Sequence, residues 1–199
     1  IKDAANKVAF EYKQGHQVIV VVSAMAGVTD ELTDFASSFS HRLNTAEFDV
    51  ILSTGEQTTA GLMALSLKEI GIGARSWLGW QIPIWTDSIY GKSHITDIET
   101  GLLEKQLEEK NVVVVAGFQG TSFSSGGTAE ITTLGRGGSD TSAVALATAL
   151  GAEACEIYTD VPGVLTTDPR QVADAQLMPT LSCDEMLELA SLGAAVLHP

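Results

Sequence analysis

Two runs of apolar residues restrict the fold of this chain more than any other feature of its sequence. Residues 17–22 and 112–116 read QVIVVV and VVVVA, with no polar residue in alternation. A strand with one face in water would alternate apolar and polar side chains, so each run predicts a strand covered on both faces. Such strands belong to a parallel sheet with helices packed on either side.

Helical patterns separate the predicted strands. We expect helices over residues 2–14, 30–40, 55–70, 97–110, 141–150 and 182–192, several of them closed by glycine. Further strands are predicted at 75–85, 131–134 and 154–159, with an exposed hairpin tip at 121–129. The fold class is therefore α/β, a three-layer αβα sandwich with a mainly parallel central sheet. No linker divides the 199 residues, so one domain is expected.

Charge and cysteine usage exclude several classes of function. The formal net charge is −14, which disfavours nucleic acids and anionic membrane surfaces as partners. No apolar run approaches the ~20 residues that span a bilayer. Cys155 and Cys183 lack CxxC spacing, and the four histidines are scattered. Buried or half-buried free thiols in a cytoplasmic protein are expected, with no metal site.

The strongest chemical signal is residues 135–140, which read GRGGSD ahead of a predicted helix. Glycines let backbone N–H groups approach a ligand, and the helix N-terminus adds a positive dipole, which together favour an anion. Arg136 can hold a carboxylate or phosphate with two hydrogen bonds. Asp140 beside an anion site indicates a group that orients cations or receives a proton. The alternative is a glycine-rich turn with Asp140 as the helix N-cap.

Three weaker signals lie at other strand and helix ends. Residues 23–29, SAMAGVT, suit a phosphate or substrate cradle, or form an ordinary turn with Thr29 as N-cap. Glu56 is predicted in the first turn of a helix, where it either complements the dipole or holds an ammonium group. Residues 158–163 and 166–170 place hydroxyl, carboxylate and guanidinium groups on one rim, which suits a ribose and phosphate or only a rigid turn.

In chain order these segments resemble the aspartate kinases of the amino-acid-kinase family. The matching strings are VVVSAMAGVTD (20–30), LSTGEQ (52–57), VVVAGFQG (113–120), TTLGRGGSDTSAVALA (132–147), IYTDVPGVLTTDPR (157–170) and EMLELASLGA (185–194). The resemblance covers essentially the whole chain. It implies the catalytic domain of such an enzyme, with regulatory domains outside this chain.

The resemblance implies a role for each matching residue. Arg136 is expected to hold the α-carboxylate of L-aspartate and Glu56 its ammonium group. The rest of the substrate pocket is implied to be Thr29, Phe118, Gly137, Gly138 and Ser139. The implied nucleotide contacts are Ser23, Ser139, Thr159, Asp160, Leu165 and Arg170. Catalysis is expected to depend on Arg136 and on Asp140, which organises phosphate-binding lysines.

The implied reaction is in-line attack of the aspartate β-carboxylate on the γ-phosphoryl group of ATP. Mg²⁺ would be held mainly by phosphates and water. A carboxylate needs no general base at neutral pH, so catalysis would consist of positioning and charge neutralisation. The product, 4-phospho-L-aspartate, would be the first intermediate toward lysine, threonine and methionine. A homodimer or larger assembly is expected through the full-length protein.

Departures from the family pattern concern groups that bind phosphate. The family's opening strand and Lys-Phe-Gly-Gly-Thr-Ser loop do not precede Ile1, and Ala195 stands where members carry a lysine. Leu165 replaces a nucleotide-contacting tyrosine of some members. Because a charge-assisted contact contributes ~1.5–3 kcal/mol, we expect this chain alone to be a weakly active or inactive piece of a longer enzyme.

Two alternatives remain at this point. One is a degenerate kinase-like domain that binds aspartate or nucleotide without turnover, which Ala195 favours. The other is a relative that acts on a different carboxylate. Glu56 and Arg136 argue against the second alternative, because together they suit a free α-amino acid.

Overall fold

The computed structural model describes residues 1–159, 161, 163–168, 172 and 174–191. It contains two compact units, Ile1–Cys155 and Glu156–Pro199. The helices of the first unit are α1 (Lys2–Lys13), α2 (Val28–Ser37), α3 (Ala46–Glu69), α4 (Gly101–Glu108) and α5 (Gly138–Ala149). Its strands are β1 (Ile19–Val22), β2 (Ala74–Trp77), β3 (Ile84–Thr86), β4 (Ile95–Ile98), β5 (Val112–Ala116), β6 (Gln119–Phe123) and β7 (Ala129–Thr133).

The first sheet has the order β1-β5-β2, and all of its strands are parallel. The central strand β5 pairs through Val113 with Ile19 on one side and Arg75 on the other. Every residue of β5 is fully buried. The unbroken run of valines thus forms a strand covered on both faces, as its sequence predicts.

Helices cover both faces of this sheet. On one face, α1 and α3 pack against Val112, Val114 and Ala116 through small and aliphatic side chains, among them Ala5, Ala9, Ala60, Met63 and Leu67. On the other face, Leu103 of α4 and Leu146 of α5 pack against Val113 and Val115. The three-layer αβα sandwich with a parallel central sheet is confirmed.

A second sheet has the order β4-β3-β6-β7. The β3–β6 pair is parallel, whereas β3–β4 and β6–β7 are antiparallel. The predicted hairpin is present as β6 and β7, which pair from Gln119–Thr133 at one end to Phe123–Ala129 at the tip. Thr133 at the end of β7 leads directly into the glycine-rich residues 135–138.

The long helix α3 begins at Ala46, nine residues before the predicted start at Gly55. Thr45 is its N-cap, and the Thr45 hydroxyl accepts a hydrogen bond from the Phe48 N–H over 3.3 Å. Gly55 resembles a helix boundary in sequence, but it lies inside the helix. A Cβ at Gly55 would lie 2.9 Å from Ala24 Cβ, so the glycine is required for close packing rather than for a helix end.

Two other predicted elements are wrong. The helix predicted from residue 97 begins only at Gly101 as α4, because Ile98 is the last residue of β4 and pairs with Ile84 of β3. Residues 154–159 form no strand, and only Ile157 among them is half-buried. A local preference for β structure does not by itself decide strand formation, which also depends on context.

The C-terminal unit contains α6 (Cys183–Ser191) and an isolated antiparallel bridge between Leu165 and Leu177. The predicted capping box of α6 is present: the Glu185 N–H donates to Ser182 Oγ, and the Ser182 N–H donates to Glu185 Oε2. Cys155 and Cys183 are free thiols, but both are exposed, which corrects the expected burial. Across the part of the chain that the structure describes, no helix is long and apolar enough to span a bilayer.

Candidate active site

The candidate site lies where two parallel strands of the N-terminal unit end. The strand β1 is followed by residues 23–27, and β5 by Gly117 and Phe118. Because β1 and β5 are adjacent and parallel, these two segments leave the same edge of the sheet. Ligands of open α/β sheets bind at this edge.

Glu56 lies near the middle of α3, and only 3% of the residue's surface is exposed. Its Oε1 accepts a hydrogen bond from the Ala24 N–H over 3.0 Å. Its Oε2 is buried and accepts no hydrogen bond from any described residue. Burial raises the pKa of the Glu56 carboxyl, although the bond from Ala24 opposes the shift. An unpartnered buried carboxylate oxygen is costly, so this atom indicates a place for a cation or donor of a ligand.

The position of Glu56 depends on the glycine that precedes it. Since Gly55 has no side chain, the loop after β1 approaches the helix until Ala24 Cβ is 2.9 Å from an ideal Cβ position at Gly55. That approach brings the Ala24 N–H within reach of the carboxylate. The sequence hypothesis that Glu56 only complements a first-turn dipole is wrong, because α3 begins ten residues earlier, at Ala46.

The glycine-rich segment forms a sharp turn into α5. Gly135 and Gly137 have φ values of +79° and +68°, which L-residues with side chains rarely adopt. Gly137 is the N-cap of α5, and no side chain caps the helix. Arg136 is exposed, and its guanidinium makes no ion pair with any residue that the structure describes. The turn therefore presents a helix N-terminus and an unpaired cation, both suited to an anion.

Asp140 is half-buried in the first turn of α5. Burial raises the pKa of its carboxyl group. The alternative interpretation of Asp140 as the N-cap is wrong, since Gly137 holds that position and Asp140 is the third residue of the helix.

Phe118 lies just after β5 and contacts the start of α5. Its φ of +65° is unusual for a residue with a side chain. The Phe118 N–H donates to Ser142 Oγ over 3.1 Å, and the Ser142 hydroxyl donates to the Gly138 carbonyl over 2.8 Å. A Cβ at Gly138 would lie 2.8 Å from Phe118 Cδ2. The aromatic ring therefore packs directly on the first turn of the helix.

Ser142 is a residue of the site that the sequence does not single out. It is fully buried and joins two segments that both bear predicted site residues. The available signal is weak: a hydroxyl residue four positions after Gly138 in an otherwise Ala-rich helix. Such a residue commonly bonds only within its own helix.

Ser23 and Thr29 follow β1. Ser23 is exposed, and its hydroxyl makes no hydrogen bond with a described residue. Thr29 is half-buried as the second residue of α2, and its carbonyl accepts the Thr33 hydroxyl over 2.7 Å. The helix is capped by Gly27, at a φ of +82°, so the interpretation of Thr29 as N-cap is wrong.

Side-chain hydrogen bonds also join the neighbours of Glu56 in α3 to Gln119, the residue after Phe118. The Gln119 side-chain amide donates to the Ser53 carbonyl over 3.2 Å, and Gln57 Nε2 donates to Gln119 Oε1 over 3.4 Å. These bonds join α3 to the first residue of β6. Neighbours of Glu56 in α3 are thus bonded to the residue after Phe118, and Phe118 itself packs on Gly138.

The remaining predicted site residues belong to the C-terminal unit. Thr159 is exposed, and Leu165 is half-buried in its bridge with Leu177. Asp160, Arg170 and Ala195 lie outside the described residues. The predicted nucleotide contacts of Thr159, Asp160, Leu165 and Arg170 therefore stay predictions, as does the effect of Ala195 in place of a lysine.

A model of the amino acid kinase family matches residues 1–199. Aspartokinase 2 of Bacillus subtilis (strain 168) is 55% identical over 199 residues, which are all of this chain and 48% of the relative. The chain spans about half the length of the curated relatives it matches.

Two solved structures share this fold over almost the whole chain. Aspartate kinase from Synechocystis superposes with a TM-score of 0.82 at 52% identity, covering 100% of this chain and 32% of that one. E. coli aspartokinase III in complex with aspartate and ADP, in its R-state, gives a TM-score of 0.82 at 28% identity. That alignment covers 99% of this chain and 55% of that chain.

Proposed function

Because this chain belongs to the amino acid kinase family, we propose that it forms most of the catalytic domain of an aspartate kinase, over residues 1–199. The enzyme transfers the γ-phosphoryl group of ATP to the β-carboxylate of L-aspartate. Similarity to aspartokinases along the whole chain supports this proposal. So does a solved relative in complex with aspartate and ADP.

The observation that carries the proposal is the pair of unsatisfied charges on Glu56 and Arg136. A free α-amino acid carries an ammonium group and a carboxylate on the same carbon. The buried Oε2 of Glu56 suits the ammonium, and the guanidinium of Arg136 suits the α-carboxylate with two parallel hydrogen bonds. Binding the substrate would thereby satisfy a buried acceptor that is unpaired in the free protein.

The chemistry follows from where the charges lie. With its α-groups held, the substrate's side chain would extend toward the nucleotide as an ionised β-carboxylate, which attacks phosphorus without a general base. The N-terminus of α5, which no side chain caps, and the glycine N–H groups would offset negative charge on the transferred phosphoryl group. Ser139 and Asp140 lie in the same first turn, and there Asp140 would orient cations that face the phosphates.

We propose ATP with Mg²⁺ as the second substrate. Mg²⁺ usually retains several waters and binds through substrate phosphates, so it would arrive with ATP and be held mainly by phosphate oxygens and water. Ser23, which is exposed after β1, would contact a phosphate. Thr159, Asp160, Leu165 and Arg170 are proposed contacts of the nucleotide.

The product, 4-phospho-L-aspartate, would feed lysine, threonine and methionine biosynthesis. We place this activity in the cytoplasm, where the two free thiols are compatible with a reducing environment. A homodimer or larger assembly is proposed for the full-length protein.

The test compares ligands that each lack one group of aspartate. Calorimetry with the full-length protein would use L-aspartate, succinate without the ammonium, and β-alanine without the α-carboxylate. Glu56→Gln is expected to lower the affinity for L-aspartate by roughly 10-fold or more and to leave the affinity for succinate unchanged. Arg136→Ala should lower the affinity for L-aspartate and leave the affinity for β-alanine unchanged.

Glu47→Gln is the matched control, because it removes an exposed carboxylate from the same helix. It should leave the affinity for L-aspartate unchanged. Equal losses for L-aspartate and succinate in Glu56→Gln, or L-aspartate affinity unaffected by Arg136→Ala, would contradict the assignment.

A further inference from the structure

Asp49 is a buried carboxylate that the proposed reaction does not use. It lies in the first turn of α3 and is fully buried. Its Oδ2 accepts hydrogen bonds from the Thr133 N–H over 2.8 Å and the Gly91 N–H over 3.1 Å. Its Oδ1 accepts the Thr133 hydroxyl over 2.9 Å. One side chain thus holds backbone groups of two segments that are distant in sequence.

Both of these segments border the glycine-rich turn. Thr133 is the last residue of β7, three positions before Arg136. Gly91 lies against the other side of the turn, since a Cβ on Gly135 would be 3.2 Å from the Gly91 carbonyl oxygen. The Ser93 N–H donates to the Thr133 carbonyl over 2.9 Å, which ties the two segments to each other.

A role in helix stability alone does not explain these contacts. An acidic residue in the first turn complements the helix dipole equally well from the surface, and Glu47 already does so there. Burying a carboxylate is unfavourable unless its oxygens are satisfied. Here every bond on the Asp49 carboxylate goes to the borders of the turn that carries Arg136, and none goes to its own helix.

We infer that Asp49 is a positioning residue that fixes the glycine-rich turn, and with it Arg136, for binding of the amino-acid substrate. This inference rests on the proposed function of Arg136. Asp49 touches no reacting group and acts through Thr133 and Gly91. Its loss would leave two N–H groups and a hydroxyl without an acceptor, so the turn would shift relative to α3. A displacement of about 1 Å can change rates ~100-fold.

The experiment compares two substitutions in the full-length protein. Asp49→Ala removes all three acceptor contacts. Asp49→Asn is the conservative variant, because its carbonyl oxygen can face the two N–H groups while its amide donates to the Thr133 hydroxyl oxygen. We expect the KM for L-aspartate to rise ~10-fold or more in Asp49→Ala, with a much smaller change in the KM for ATP. Asp49→Asn should restore most of the aspartate affinity.

Leu67→Ala is the control for general loss of stability. Leu67 is fully buried near the other end of α3, about 27 Å from Asp49 at 1.5 Å per residue. Leu67→Ala should lower the melting temperature without changing the KM for L-aspartate. If Asp49→Ala behaves like Leu67→Ala, with a lower melting temperature and an unchanged KM, the positioning role is refuted.

Hydrogen exchange of the amides in residues 134–141 separates this inference from the proposed function. Faster exchange in that segment in Asp49→Ala, beyond the amides of Gly91 and Thr133 that lose their acceptor directly, supports the positioning role even if the wild-type protein does not phosphorylate aspartate. Unchanged exchange there overturns it. Aspartate-dependent turnover by the wild-type protein tests the proposed function independently.

Discussion

The backbone N–H of Ala24 donates to one carboxylate oxygen of Glu56 over 3.0 Å, while the other oxygen is buried without a partner among the described residues. The first contact fixes the side chain against the loop after β1. The second oxygen is left for a ligand. A site that stays partly unsatisfied until the substrate arrives gains most from a ligand with a matching donor.

Glu56→Gln should stabilise the unliganded protein at neutral pH, although it weakens substrate binding. Burial raises the folded-state pKa of Glu56 above its unfolded value. The stability contributed by its protonated form is therefore fully present below the unfolded pKa and is lost as pH rises through the folded pKa. We expect the unfolding free energy of Glu56→Gln to exceed that of the wild-type protein by about 1 kcal/mol at pH 8. The difference should shrink toward pH 4, and urea unfolding at both pH values measures it. A larger gain at pH 4 than at pH 8 would contradict this sign.

Arg136→Lys should impair substrate binding although it keeps the charge. A lysine ammonium cannot form the two parallel bonds that guanidinium makes with a carboxylate. The KM for L-aspartate is expected to rise roughly 10-fold or more, measured in steady state. The melting temperature should not change, because Arg136 is exposed and has no ion-pair partner among the described residues. Equal KM values for the wild-type and Arg136→Lys proteins would argue against a two-bond contact.

Ser142→Ala should loosen the junction of β5 and α5. The Phe118 N–H would lose its acceptor, which costs about 1–2 kcal/mol of unfolding free energy, and the aspartate KM should rise as the helix start moves. Thr148→Ala is the matched control, since the Thr148 hydroxyl bonds only the Val144 carbonyl in its own helix and is exposed. Denaturant unfolding and steady-state kinetics of both variants provide the measurement. Equal effects of the two substitutions would show that the bond to Phe118 is unimportant.

Two glycine-to-alanine substitutions should change the unfolding free energy in opposite directions. In Gly138→Ala the new Cβ would lie 2.8 Å from Phe118 Cδ2 and 3.0 Å from Leu134 Cβ, so we expect a loss of about 1–3 kcal/mol. Gly61 lies inside α3 with nothing within 4 Å of an ideal Cβ, so Gly61→Ala should gain ~0.5–1 kcal/mol. Thermal and urea unfolding measure both. A stabilised Gly138→Ala protein would contradict the close packing of Phe118.

The central sheet is predictable from sequence because its signal is local. A strand that is buried on both faces must be apolar at every position, and β5 matches the valine run residue for residue. The glycine-rich turn is also local, since its left-handed φ values require glycine at Gly135 and Gly137. Motif strings of this kind indicate a candidate site without knowledge of its neighbours.

Contacts between distant segments are not predictable in this way. Asp49 and Thr133 are 84 positions apart, and nothing near either residue indicates the pairing. The sequence misplaces the start of α3 because Gly55 resembles a boundary, while its role depends on Ala24 in another element. The predicted strand at 154–159 is also wrong, because strand formation depends on tertiary context as well as on local preference.

Formation of an acyl phosphate on L-aspartate is the reaction that distinguishes the proposed enzyme from a domain that only binds its ligands. The full-length protein would be incubated with MgATP, L-aspartate and hydroxylamine, which converts an acyl phosphate to a hydroxamate. We predict aspartyl hydroxamate in step with ADP, at rates at least ~10-fold lower for Glu56→Gln and Arg136→Ala at subsaturating L-aspartate. ADP release without hydroxamate, or equal rates for the wild-type and Arg136→Ala proteins, would contradict the proposed function.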